Sequence, residues 1–279
     1  MKKIDLHTHT SYSDGTFTPK ELIEYAKIKN LSAISITDHD TINGLQEGEE
    51  AAKELGIEFI NGIEFSISMN SKEFHILGLM FDRHLEIFEK FLSGMQKERE
   101  ERNIGIIKLL KESDVHLEYE ELLSMSKNGI ITRSHFGKIM VRKGYVRNVD
   151  EAFCKYLSNK GKAYIPRNSF KPTQVIETIH EAGGIAILAH PYRYGLDSKG
   201  IEDLIIDLKN LNIDGIEAVY SSHTPRMETF LKDLASKYSL KISGGSDFHG
   251  SNKSNIDLGS GFGNLQIPMQ ILTDLKKAF

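Results

Sequence analysis

Ile4-Asp5-Leu6-His7-Thr8-His9-Thr10-Ser11-Tyr12-Ser13-Asp14-Gly15 reads as a short apolar strand running into metal-capable side chains. Successive side chains on a strand alternate faces, so His7 and His9 point the same way. Two imidazoles on one face, with a carboxylate just beyond, form half a metal site. The same pattern, an apolar strand that ends in a polar ligand, recurs along the chain, and its recurrence sets the fold.

Thr18-Pro19-Lys20-Glu21 has the form of a capping box with proline at the first helical position. The helix it opens, through Leu22, Ile23, Ala26 and Ile28, ends near Asn30. Leu31–Ile36 is a buried strand that runs into Thr37-Asp38-His39-Asp40. A helix over 43–55 leads to a strand over Glu58–Phe65, which carries Glu64 at its end. Helix-sized crossovers between strands mark a parallel sheet. The next strand, Glu73–Phe81, follows after only Met69–Lys72. A parallel crossover needs about a dozen residues or more, so this strand is expected antiparallel, with His75 at its start on the same rim as Glu64.

From 85 to 165 the strand–helix rhythm stops, and short helices are expected over 118–126, 134–143 and 149–158. Arg133 to Arg167 holds nine Lys or Arg against Asp150 and Glu151, a net of +7 that suits a polyanion beside a metal cluster. The alternation then resumes. Pro172–Ala182 is a helix closed by Gly183-Gly184. Strands over Ile185–Ala189, Gly215–Val219 and Leu240–Ser243 follow, separated by helices over 199–210 and 225–238. The first of these strands ends at His190 and the last at Asp247-Phe248-His249. Seven strands predict an α/β fold, a distorted (β/α)7 TIM-like barrel. Residues 1–97 and 166–279 would form the barrel and 98–165 a mainly helical insertion or lid.

In parallel barrels the C-terminal strand ends form the active-site face. His7, His9, Asp14, His39, Glu64, His75, His190, Asp247 and His249 therefore converge on one rim, and six of the eleven histidines are among them. Nitrogen and oxygen ligands without thiolate suit Mn²⁺, Fe²⁺ or Zn²⁺. His84, His116 and His180 read as structural or exposed, His223 as a pocket-lining candidate, and Cys154 as packed within the insertion. A single cysteine excludes an intramolecular disulfide framework, and a net charge of −4 argues against a DNA-coating surface. No apolar run approaches a membrane span and no secretory leader is visible, so a soluble, cytoplasmic protein is expected.

Asp5-Leu-His7-Thr-His9-Thr10, Thr37-Asp-His39-Asp40, Gly62-Ile-Glu64, Ala189-His190-Pro191 and Gly245-Ser-Asp247-Phe-His249 together resemble the motifs of the PHP (polymerase and histidinol phosphatase) family, in order and spacing across nearly the whole chain. Thr132-Arg133-Ser134-His135-Phe136-Gly137 and Gly161-Lys-Ala-Tyr164-Ile-Pro166 resemble its subgroup of nucleoside 3',5'-bisphosphate phosphatases and 5'-to-3' exoribonucleases, with Ser134 in place of that subgroup's proline. The resemblance implies a trinuclear site, with Mn²⁺ favoured. His7, His9, Glu64 and Asp247 would hold one ion, Glu64, His75 and His190 a second, and Asp14, His39 and His249 a third. It further implies phosphoester hydrolysis by metal-activated hydroxide on a phosphorylated nucleotide or short RNA. Asp247, Glu64, His249 and Arg133 would act in catalysis. Arg133, His135, His223 and Arg167 would contact substrate, and Lys138, Arg142 or Arg167 would hold a second phosphate. A histidinol-phosphate-type or general small-molecule phosphomonoesterase is the alternative enzyme, and a nucleic-acid-binding module the alternative outside catalysis.

Overall fold

A computed structural model describes residues 2–69, 72–126, 130–166 and 170–277. Its elements in order are β1 (Lys3–Asp5), α1 (Pro19–Ile28), β2 (Leu31–Ile36), α2 (Leu45–Leu55), β3 (Glu58–Met69), β4 (Lys72–Leu79), α3 (Glu86–Lys111), α4 (Tyr119–Met125), α5 (Arg133–Arg142) and α6 (Val149–Ala152). There follow α7 (Pro172–Glu181), β5 (Ile185–Leu188), α8 (Ser198–Asn210), β6 (Gly215–Tyr220), α9 (Pro225–Lys237), β7 (Lys241–Gly245) and α10 (Met269–Lys276). The seven strands form one mixed sheet in sequence order. Every pairing is parallel except those of β4, which runs antiparallel to both β3 and β5. The short link after β3 leaves no room for a crossover, so the chain must turn back on itself.

Alternation explains how both faces of this sheet are buried. Ala186 and Leu188 join the large apolar cluster that packs α1, α2, α7, α8 and α9 against the sheet. Ile185, Ile187 and Ala189, one step out of phase, join a second cluster with Ile4, Leu6, Ala33, Leu77, Leu79 and Ile267. Strands apolar on both faces are the mark of a sheet covered on both sides. Each fully buried Ile, Leu or Phe contributes roughly 1.5–3 kcal/mol, so these clusters hold the strand ends rigidly under the site.

Several strand ends differ from the expected bounds by one or two residues, and β1 and β3 differ in ways that bear on the site. β1 stops at Asp5, and the segment carrying His7 and His9 instead runs beside β7. Leu6 N–H donates to Gly244 O (3.2 Å), Asp247 N–H to His7 O (2.8 Å) and His9 N–H to Phe248 O (2.9 Å). β3 extends to Met69, so Glu64 sits mid-strand. The pairing of β2 with β3 stops at Ile36↔Asn61, so Glu64 still lies beyond the end of its parallel neighbour. Ser66 pairs with His75 across the hairpin, which brings His75 to the same end.

Gly245 is required by the approach of β7 to His7, because an added Cβ would lie 2.1 Å from His7 Cβ. Gly245→Ala is expected to lower the unfolding free energy by about 1–3 kcal/mol, as overpacking does, measured by urea denaturation. A transition at unchanged denaturant concentration would refute this packing.

The α3 helix buries Phe88, Leu92, Met95, Arg99, Asn103, Ile106 and Leu110 at helical spacing, and it runs unbroken through position 98. Its first half packs on the sheet cluster. Its second half belongs to a separate apolar cluster with Val115, Leu122, Phe136, Ile139 and Leu157. After α6 the chain winds into a π-helical turn over Phe153–Leu157. Leu157 takes the buried position there, as Ala152 does at the end of α6, and Cys154 is exposed, contrary to the packed position expected of it. Among the described residues no helix is long and apolar enough to cross a membrane.

Candidate metal centre

Glu64 is the hub of the site. Its Oε1 lies 2.7 Å from His75 Nδ1 and 2.8 Å from His190 Nε2. Its Oε2 lies 3.4 Å from His7 Nε2, 3.2 Å from His9 Nε2 and 3.1 Å from His39 Nδ1. Asp247 Oδ1 lies 3.6, 3.3 and 3.4 Å from nitrogens of His7, His9 and His249. Asp14 Oδ1 is 3.2 Å from His249 Nε2 and 3.9 Å from His39 Nε2. All nine side chains named from the sequence are brought together. Four groups of them have ligand atoms within 4.8 Å of one another: His9, Asp14, His39 and His249; His7, Glu64 and His190; His7, His9 and Asp247; and His39, Glu64 and His75.

The donor set fits divalent cations. His7 Nε2, His9 Nε2, His39 Nδ1 and Asp14 Oδ1 are buried without a hydrogen-bond partner, although they face one another. Buried polar atoms are almost always paired, and a cation satisfies several lone pairs at once. Burial drives His39 and His190 down to about 3, so both are neutral, the form that binds metal. Burial opposes the ionised form of Glu64, Asp14 and Asp247, but the surrounding charges outweigh it and hold all three well below the carboxylate range. Burial likewise pulls His9 down, yet Asp247 and Glu64 outweigh it and raise it to about 9, so a cation binding there would displace a proton from His9. Three rim residues, Asp40 (φ 51°), His190 (φ 28°) and Asp247 (φ 58°), sit in the left-handed region. Such strain persists where the surroundings over-determine it, typically at functional sites.

A ring of buttresses holds the ligands. Glu217, buried on β6, lies 2.9 Å from His7 Nδ1, and its other oxygen accepts the His190 backbone N–H at 2.8 Å. Asp38 accepts from Thr10 N–H (2.7 Å) and Ser13 O–H (2.6 Å), fixing the loop between His9 and Asp14. Asp247 Oδ2 accepts from Tyr220 O–H at 2.7 Å and Lys253 at 2.6 Å, which leaves Oδ1 to face the histidines. Partners of this kind set ring orientation and basicity, and their loss costs about 10–100-fold in metal affinity. Glu217→Gln is therefore expected to weaken Mn²⁺ affinity within that range, read by calorimetric titration. Unchanged affinity would show that His7 needs no carboxylate behind it.

The site opens into a cleft of about 900 Å³. Arg133 lines it, paired with Glu73, donating to Leu157 O at 3.3 Å and lying over the Phe153 ring. His135 does not line the cleft: it is buried, with Nδ1 accepting the Thr132 N–H at 3.1 Å. His223 is also buried, 2.9 Å from Ala218 O and packed on Tyr220. Arg167 lies outside the described residues, and Lys138 and Arg142 are not among those lining the cleft. Of the basic run, Arg133 alone of the described members reaches the cleft. Lys143, Arg147 and Lys155 pair with Glu121 and Glu151 at the surface instead.

The cations that do line it are mostly ones the sequence did not flag: Arg99 and Arg102 from α3, Arg193 after β5, and Lys253 after β7. Arg99 pairs with the buried Asp40, and Arg102 shares Glu73 with Arg133 at 2.8 Å. Glu217 had one visible signal, a lone acid inside the apolar run Gly215–Val219. The arginines of α3 had none, because they sit in a polar helix whose docking is tertiary.

A family model described as PHP domain matches residues 5–168. The chain is 37% identical over 248 residues to a 5'-3' exoribonuclease of Haemophilus influenzae, covering 89% of this chain and 90% of that one. It is 33% identical over 261 residues to a 3',5'-nucleoside bisphosphate phosphatase of Chromobacterium violaceum, covering 93% and 91%. A Bifidobacterium adolescentis structure described as a metal-dependent phosphoesterase matches at 28% identity with a TM-score of 0.86, covering 98% of this chain and 95% of that one.

Proposed function

Because the chain belongs to the PHP domain family, we propose that it hydrolyses terminal phosphate esters of nucleotides, with a 3',5'-nucleoside bisphosphate or a short 5'-phosphorylated RNA as substrate. At the coarser level it is a phosphoesterase, as its relatives are. The observation that carries the reading is the Glu64 hub, one carboxylate reaching five imidazoles at the floor of a cleft far larger than a phosphate.

Three divalent ions, Mn²⁺ favoured over Fe²⁺ or Zn²⁺, are assigned to this site. His7, His9, Glu64 and Asp247 would hold the first, Glu64, His75 and His190 the second, and Asp14, His39 and His249 the third. When bound, such ions supply positive charge against the phosphoryl oxygens and acidify water for in-line attack. The chain's own residues do the rest. Glu217, Tyr220 and Lys253 fix the orientation of His7 and Asp247. Arg133 presents a forked donor that matches phosphate oxygens, and Glu73 holds it at the cleft until substrate arrives.

One observation favours a second reading. Of the described members of the basic run only Arg133 lines the cleft, so the run does not by itself select a polyanion, and a small-molecule phosphomonoesterase remains the competing activity. The test is phosphate release with Mn²⁺ from adenosine 3',5'-bisphosphate, AMP, histidinol phosphate and a short 5'-phosphorylated RNA. The bisphosphate or the RNA is expected to turn over fastest. A preference for histidinol phosphate would overturn the nucleotide reading in favour of the second.

A further inference from the structure

The segment after β7, from Gly250 to Leu265, forms part of the cleft wall through Lys253, Asn255, Ile256 and Phe262. Its other large apolar residues, Ile256, Leu258 and Leu265, are buried, whereas Phe262 is 50% exposed. A single exposed aromatic is ordinary on a protein surface. Phe262 differs because it is held out at a polar cleft on a braced turn. Asp257 N–H donates to Gly261 O and Gly261 N–H to Asp257 O, each at 2.8 Å, and Leu265 N–H donates to Ser260 O at 3.0 Å. Gly259, Gly261 and Gly263 take φ of 67°, 58° and 93°, the region glycine enters without cost. A Cβ at Gly261 would lie 2.7 Å from Ser221 Oγ and one at Gly259 2.6 Å from Leu31 Cδ2, so the turn is seated directly on the body. Asp257 is tied to α1 through Tyr25 O–H at 2.8 Å and to Lys29, just after that helix, at 2.5 Å.

With a phosphate at the Glu64 hub, most of the cleft of about 900 Å³ is left for the rest of the substrate. Clefts of roughly 300–1,000 Å³ enclose ligands of nucleotide size. Every nucleobase has a π face, and stacking on an aromatic ring holds it without reading its edge. Resting on the nucleotide reading above, we propose that Phe262 is the stacking platform for the nucleobase of the substrate. It binds the base while leaving its identity open, which suits an enzyme that takes nucleotides in general.

The test compares adenosine 3',5'-bisphosphate with ribose 5-phosphate, which lacks a base. In Phe262→Ala the ratio of kcat/KM for the bisphosphate over ribose 5-phosphate is expected to fall about 5- to 140-fold, the range for loss of one stacked base. Phe262→Tyr is expected to restore it. Since the chain contains no tryptophan, Phe262→Trp installs a single indole reporter at the site. Mixing the Mn²⁺-loaded variant with the bisphosphate should quench its fluorescence, and ribose 5-phosphate should not. An unchanged ratio in Phe262→Ala, or no quenching while the bisphosphate is turned over, overturns the assignment and leaves the nucleotide reading standing. Hydrolysis of ribose 5-phosphate with none of the bisphosphate overturns that reading and the platform with it.

Discussion

Glu64→Gln is expected to lower phosphate release by at least a thousandfold, about 4 kcal/mol of transition-state stabilisation, and to strip bound metal from the chain. Both carboxylate oxygens are committed: Oε1 faces His75 and His190, and Oε2 faces His7, His9 and His39. An amide has one oxygen and one N–H₂ group, so either rotamer turns two hydrogens toward imidazole nitrogens that need a cation. The charge that binds the ions is lost as well. Metal content by mass spectrometry should fall together with activity, while the circular dichroism spectrum stays that of the parent, since the apolar clusters lie outside the substitution. Full metal occupancy in Glu64→Gln would mean that the carboxylate is not the hub proposed for it.

Asp247→Ala is expected to cost nearly as much activity with a smaller loss of metal. Asp247 Oδ1 faces His7, His9 and His249, whereas the grouping of Glu64 with His75 and His190 does not involve it. A reduced but non-zero metal content with activity down by about a hundredfold or more, some 3 kcal/mol, is the predicted signature. Tyr220 and Lys253 lose their shared acceptor in this variant, so Asp247→Asn, which keeps an oxygen for them, separates the two contributions. If Asp247→Asn matches the parent in rate, the charge on Asp247 is not needed.

What could be read in the sequence was local. The alternation of His7 and His9 follows from strand geometry, and their rings lie 5.2 Å apart in the structure. The antiparallel turn of β4 followed from the length of a link, and it accounts for how His75 reaches Glu64. What could not be read was tertiary. The hairpin is expected from the sequence but the length of β3 is not: the strand runs past Phe65 through Ser66 to Met69, which leaves Glu64 in mid-strand rather than at its end. The net charge of residues 133–167 carries no direction, and the fold pairs Lys143, Arg147 and Lys155 with surface carboxylates. Two of the four described arginines that line the cleft come from α3, where a 26-residue helix sets which turn faces the site. His135 illustrates the same limit: two residues from Arg133 in sequence, it is spent on capping α5.

The most direct test of a metal centre built on Glu64 is phosphate release from adenosine 3',5'-bisphosphate before and after complete chelation, with metal removal verified by mass spectrometry. Activity is predicted to fall to background, to return on titration with Mn²⁺, and to stay absent in Glu64→Gln at every Mn²⁺ concentration. Undiminished hydrolysis by a chain verified to be free of metal would contradict the account.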